Sequence, residues 1–421
     1  MGVASSILFI SNVWPEPNSS AAGTHSLQLM AALKSFWAAF SGENSELIWA
    51  STARPSPHAL PEAEAPCRYV SVAMNDEAAD GQLRRINPAI VVFDRFMAEE
   101  QFGWRVRRQC PDAFRLLHTQ DLHFLRRYRR KQPGNADKNA LFTDTAMREL
   151  AAIYRCDLSL IISRYEMAFL RENAGIPGEL LHFFPLAYDK PPSFNKPSFR
   201  ERQDFVSIGN FLHAPNKDAV LRLKTTYWPE IRRRLPRALL HVYGAYCPAH
   251  IMQMSRPEEG FIVHGRARGL GDVLRRARVL LAPLRYGAGL KGKLLDAMRF
   301  GTPSVTTPVG CEGIAGAEAW PGAVVATDAS AGVFAEHAAR LHEEESEWEH
   351  ASAAGRQLIA TSFNKTQEAD RLALKLREGL EKLAEQRARN LTGRLLWHHG
   401  QASTRYMSLW IEEKEKRGGT R

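Results

Sequence analysis

The chain has 421 residues, 44% apolar and 24% charged, with a formal net charge of +10. That length exceeds one ordinary domain, and the composition argues against a disordered or low-complexity chain. Five cysteines (Cys67, Cys110, Cys156, Cys247, Cys311), odd in number, far apart and without a C-x-x-C pair, argue against a disulfide framework or a cysteine-built metal site and for a reducing compartment.

In chain order, Met1-Gly2 to Ser6 fits an N-myristoylation pattern, one short enough to arise often by chance. Residues 7–10 (ILFI) then read as a core strand rather than the apolar stretch of a signal peptide. No run of about 18 apolar residues exists, so no transmembrane helix is predicted, and the expectation is a cytoplasmic protein. Further strands are predicted at 47–50, 69–72, 90–93, 114–118 and 158–162, with helices at 24–36 and 99–109 between them. A second series follows at 205–208, 239–243, 261–263, 279–284, 304–307 and 324–326. Apolar runs buried on both faces and spaced by helices predict an α/β protein with two doubly wound parallel sheets.

The proline-rich stretch around Pro185, Pro191, Pro192 and Pro197 cannot continue either sheet. It divides the chain into a domain over 1–190, a linker over 191–203 and a second domain over 204–365, followed by a helix and basic tail over 366–421. Two such domains face each other across a cleft, and ligands bind where the carboxyl ends of the strands meet.

Residues 287–292 (GAGLKG) fit G-x-G-x-x-G, but the next strand ends Thr306-Thr307-Pro308 without the acid that a dinucleotide ribose requires. Lys291 and Lys293 fall in the first turn of the following helix, against the helix dipole. With Gly287, Gly289 and the helix N-terminus they suit a dianion, and Asp296 one turn on suits vicinal hydroxyls. A plain Lys293–Asp296 surface pair is the alternative. The loop reads as a nucleotide diphosphate cradle.

"ILFISNVWPEPNSSAAGTHSLQLM", "GNFLHAPNKDAV", "LLHVYGAY" and "APLRYGAGLKGKLLDAMRFGTPSVTTPVGCEGI" resemble, in order and along nearly the whole chain, the glycosyltransferases of the GT-B fold, retaining family 4 type. The resemblance implies two Rossmann-like domains, a nucleotide-sugar donor held mainly by the second and an acceptor held mainly by the first. It implies no cofactor and no metal, and retention of anomeric configuration. It carries the diphosphate to Lys291 and Lys293, the ribose to Asp296, and backbone approach to the donor to Gly209, with Gly23 closing from the opposite domain. Members often carry Glu-x7-Glu; here Tyr286 stands where the first glutamate belongs, and two residues are inserted before Asp296.

At the end of the 114–118 strand, His118, Asp121 and His123 compete for a place beside the donor sugar, with Asp94-Arg95 near the same cleft. Arg285 offers either a third cation or a solvent-facing strand end. Asn216 reads as a helix N-cap. The basic runs at 126–131 (RRYRRK) and 232–234 (RRR) are solvated faces, contacts to a phosphate-bearing substrate, or contacts to an anionic membrane on the cytosolic side. No nucleic-acid motif accompanies them. Acceptors in the resemblance class include lipid-linked glycans. A nucleotide-sugar epimerase of the same fold, a catalytically silent binding member and an NAD oxidoreductase are the rival readings.

Overall fold

The computed structural model describes residues 6–42, 45–73, 76–131, 139–189 and 197–418; Gly2 of the acylation pattern and residues 190–196 of the proline-rich stretch lie outside them. The first sheet comprises β1 (Ser6–Ser11), β2 (Glu46–Ser51), β3 (Arg68–Ser71), β4 (Ile90–Asp94), β5 (Phe114–His118), β6 (Leu158–Ile161) and β7 (Leu181–Phe183). The second comprises β8 (Gln203–Ile208), β9 (Leu240–Tyr243), β10 (Phe261–Gly265), β11 (Ala277–Ala282), β12 (Ser304–Thr306) and β13 (Gly322–Val324). All pairings are parallel, in the orders β3-β2-β1-β4-β5-β6-β7 and β10-β9-β8-β11-β12-β13. The two doubly wound sheets read from the sequence are present. Strand β7 is an addition, a three-residue strand at the edge of the first sheet.

The central strands β1 and β4 are buried along their whole length, as their ILFI and IVVF runs require of a sheet covered on both faces. Each sheet reverses its strand order once, between β1 and β4 and between β8 and β11. A crevice opens at such a switch point, so the loops after these strands are the ones placed to hold a ligand.

The C-terminal segment returns to the first domain. Leu372 and Leu376 of the helix Lys365–Glu381 join the cluster that packs Phe9, Leu33 and Leu116. Trp397 of the helix Leu391–Gly418 is buried and donates to the Arg155 carbonyl at 3.1 Å. The chain therefore passes between domains twice, and the passages run side by side. Tyr188 N donates to the Phe363 carbonyl at 2.8 Å, and Lys365 N to the Tyr188 carbonyl at 2.9 Å.

Candidate active site

A cleft of about 640 Å³ lies between the domains, walled on one side by the loop after β1, Arg95, Gln120, Asp121, His123 and Arg126. The facing wall holds Gly209, Asn216, the stretch Tyr286 to Lys293, and Asp296.

The glycine loop is pulled onto the first domain. Gly289, at φ 63°, donates its N–H to Glu166 Oε1 at 2.8 Å. The Gly287 carbonyl accepts from Arg129 Nη1 at 2.9 Å, and the same guanidinium is bidentate on Glu312 at 2.7 and 2.8 Å. The Gly289 N–H, expected to meet an anion, is thus taken by the Glu166 carboxyl group. Lys291 Nζ donates to the Gly289 carbonyl at 2.9 Å, and Lys293 Nζ to Asn216 Oδ1 at 2.7 Å. Among the described residues neither lysine forms an ion pair, so the Lys293–Asp296 surface pair does not occur. Burial pushes the Lys293 ammonium down to about 7. It also lowers Lys291, against the opposing pull of Glu312. Both lysines are stripped of water and make no direct ion pair, so an incoming anion would favour their charged forms.

Asp296 lines the cleft but accepts the Tyr188 hydroxyl at 2.9 Å, and burial raises its carboxyl to about 6. Gly209 also lines the cleft, and a Cβ there would lie 2.5 Å from Asn216 Cγ. The N-cap reading of Asn216 is corrected: the helix Ala214–Arg222 is capped at His213, and Asn216 lies inside it. Its amide donates to the Asn210 carbonyl at 2.8 Å while its oxygen holds Lys293, so it positions the cradle. Arg285 is an ion-pair partner of Asp218 away from the cleft wall, the solvent-facing alternative of the two. Gly23 does not face the cleft either. Its N–H donates to the Ser20 hydroxyl at 3.1 Å, and a Cβ would lie 2.6 Å from the Glu16 carbonyl carbon. Close packing of the loop against its helix is what requires glycine there.

On the first domain, Asp121 and His123 line the cleft and His118 does not. Burial pushes the Asp121 carboxyl up, but Arg126, His123 and Arg95 outweigh it and hold the group below its ordinary value. Arg126 pairs with it directly, and His123 Nε2 lies 3.5 Å away. Burial lowers His123 to about 4, which leaves a neutral imidazole at the cleft. His118 is fully buried behind the wall. Its Nε2 lies 2.9 Å from His25 Nδ1, and its Nδ1 lies 3.2 Å from Gln120 Nε2. Burial holds it at about 3, so its expected place beside the substrate is corrected to that of a neutral support for Gln120. Gln120 (φ 65°) and Arg95 (φ 69°) both reach the cleft from left-handed backbone, a strain of about 1 kcal/mol or more each that clusters at functional sites.

Sequence reasoning missed Glu166, Arg129 and Tyr188. Ser163-x-x-Glu166 opens the helix Arg164–Glu172 in the manner of a capping box, yet the Ser163 side chain makes no cap bond. Glu166 instead spans the domains, accepting from Leu122 N at 3.0 Å as well as from Gly289. Arg129 was hidden inside the basic run.

Residues 202–344 match the family model described as Glycosyl transferases group 1. No curated protein matches the chain. Among solved structures, sucrose-phosphate synthase from Thermosynechococcus elongatus superposes with a TM-score of 0.65 at 17% identity, over 89% of this chain and 98% of that one. Anabaena Alr3699/HepE in complex with UDP and glucose gives 0.65 at 10% identity, over 88% and 99%. WaaG, a glycosyltransferase involved in lipopolysaccharide biosynthesis, gives 0.61 at 15%, over 86% and 98%. The GT-B fold and the group 1 likeness read from the sequence are borne out: residues 202–344 carry the pattern of the group 1 glycosyl transferases, and the chain as a whole has the two-domain GT-B fold.

Proposed function

We propose that this protein is a hexosyltransferase that moves a sugar from a nucleoside-diphosphate sugar to an acceptor hydroxyl, with retention and without a metal ion. The observation that carries the reading is the pair of desolvated lysines, free of carboxylate partners, beside a glycine loop in the interdomain cleft. Breaking the bond between the anomeric carbon and the β-phosphate oxygen puts charge on the leaving diphosphate. Lys291, Lys293 and the N-terminus of the helix Gly292–Arg299 are placed to stabilise that charge, the role a divalent ion fills elsewhere. HepE, solved with UDP and with UDP-glucose, supports a UDP-sugar as the first donor to try. Asp121 and neutral His123 face the sugar side from the acceptor domain, and contact between the walls excludes water that would hydrolyse the donor.

The test is thermal shift with UDP, GDP and NAD in excess EDTA, followed by donor turnover. UDP or GDP should raise the Tm without metal and NAD should not, and Lys293→Ala should abolish the shift and cost turnover about 100-fold or more. Stabilisation by NAD alone, or an absolute need for a divalent ion, would overturn the reading. Nucleotide binding without turnover on any sugar donor would assign the chain to the silent binding members instead.

A further inference from the structure

Five arginines of the two basic runs, for which membrane contact was one of three readings, have partners within the chain. Arg126 pairs with Asp121 and Arg129 with Glu312, while Arg233 and Arg234 pair with Glu230 and Arg232 donates to the Ala238 carbonyl at 2.8 Å. A different surface carries exposed apolar side chains. The helix Leu391–Gly418, 28 residues long, docks on the first domain through Trp397, Ser408 and Glu412, which are buried. On its outer side Leu391 (61%), Leu395 (51%), Tyr406 (65%) and Trp410 (59%) are exposed, with Met407 (58%) beside them.

These residues form one stripe. Leu391 to Leu395 and Tyr406 to Trp410 are one-turn steps, and Leu395 to Tyr406 is about three turns, which returns to nearly the same side of the helix. The buried Trp397, Ser408 and Glu412 repeat the same spacings on the opposite side. Cations border the stripe: Arg394, Arg405, and Lys414, whose ammonium lies 5.1 Å from the Trp410 ring centroid. From residue 391 onward the sequence holds six basic and three acidic residues, and Glu412 is spent on the buried Arg105.

We propose that this stripe lays the protein on an anionic lipid bilayer, with the acceptor-side domain toward the membrane. Exposed Trp, Tyr, Leu and Met flanked by cations on a docked helix is the chemistry of an interfacial helix. A second copy of the chain fits less well. It would bring two basic stripes together on molecules that each carry a net charge of +10. No helix among the described residues is long and apolar enough to cross a membrane, so attachment is peripheral and reversible.

The experiment is flotation of the full chain with phosphatidylcholine vesicles, with or without phosphatidylglycerol, at low and high salt. Wild type should float with anionic vesicles at low salt, and largely detach at high salt. The variant Tyr406→Ser/Trp410→Ser changes two solvent-facing positions and should keep its circular dichroism while binding at least about tenfold more weakly. Arg394→Gln/Arg405→Gln should lose the salt-sensitive part of the binding. Absence of anionic-vesicle binding by wild type, unchanged binding by the Tyr406/Trp410 variant, or a wild-type dimer that the variant dissociates would each overturn the proposal.

Discussion

Gly292→Ala should act as a wedge between the domains. Gly292 starts the helix Gly292–Arg299 at the cleft, and a Cβ there would lie 2.6 Å from the Ala21 Cβ, at the start of the helix Ala21–Ser41 on the opposite domain. Carbon atoms pack best at about 3.5–4.0 Å, so the walls must part by about 1 Å at this point. Gly292 is not in left-handed backbone, so alanine costs the second domain nothing locally. A misplacement of about 1 Å between reacting groups costs on the order of 100-fold in rate. Donor turnover should therefore fall about 100-fold and UDP affinity by less, with the Tm nearly unchanged. Ala21→Gly removes the opposing methyl at a cost of at most about 1 kcal/mol in helix propensity. The double variant Ala21→Gly/Gly292→Ala should recover to within about tenfold of wild type in the same assays. Wild-type turnover in the single variant, or a double variant no better than the single, would refute the reasoning.

Two pH dependences follow from buried charges. Burial holds Lys293 at about 7, against about 10.4 for a free lysine, and a bound diphosphate should raise it again. UDP affinity should then weaken as pH rises above 7, and titration calorimetry at pH 8 in buffers of different ionisation heat should register proton uptake; its absence would place the lysine off the phosphate. Burial lifts the Glu166 carboxyl to about 7, above about 4.3 in the unfolded chain, so stability present below 4.3 is lost as pH rises through 7. Glu166→Gln keeps an oxygen for Leu122 and Gly289 without titrating, and its Tm relative to wild type should increase from pH 5 to pH 8. A difference that stays flat over that range would contradict the raised pKa.

The strands were legible because parallel-sheet cores demand unbroken apolar runs, and those runs survive in the sequence with boundaries nearly intact. The two lysines were legible for the opposite reason: they break a rule, placing positive charge where the helix dipole disfavours it. What escaped depends on docking between distant segments. Nothing local to Glu166 or Arg129 announces Gly289 and Glu312, which lie 123 and 183 residues away. His118 was misplaced because orientation at a strand end turns on a single residue, and the last residue of β5 is rotated into the core. The helix Lys365–Glu381 was legible as a helix, but nothing in that segment signals that Leu372 and Leu376 pack against Phe9 and its neighbours at the other end of the chain.

The return of the C-terminal helices to the first domain bears on how the polypeptide is made. A ribosome releases chains from the amino end, and domains usually complete in that order. Here Leu372, Leu376, Trp397 and Glu412 complete the packing of the domain that begins with β1. The second domain, contiguous from β8 through Ser362, has all its strands outside the ribosome before the first can close. The cluster around Phe9 in the first domain, otherwise packed by Leu29, Leu33 and Phe36 of the helix Ala21–Ser41, gains its last buried side chains, Leu372 and Leu376, only afterwards.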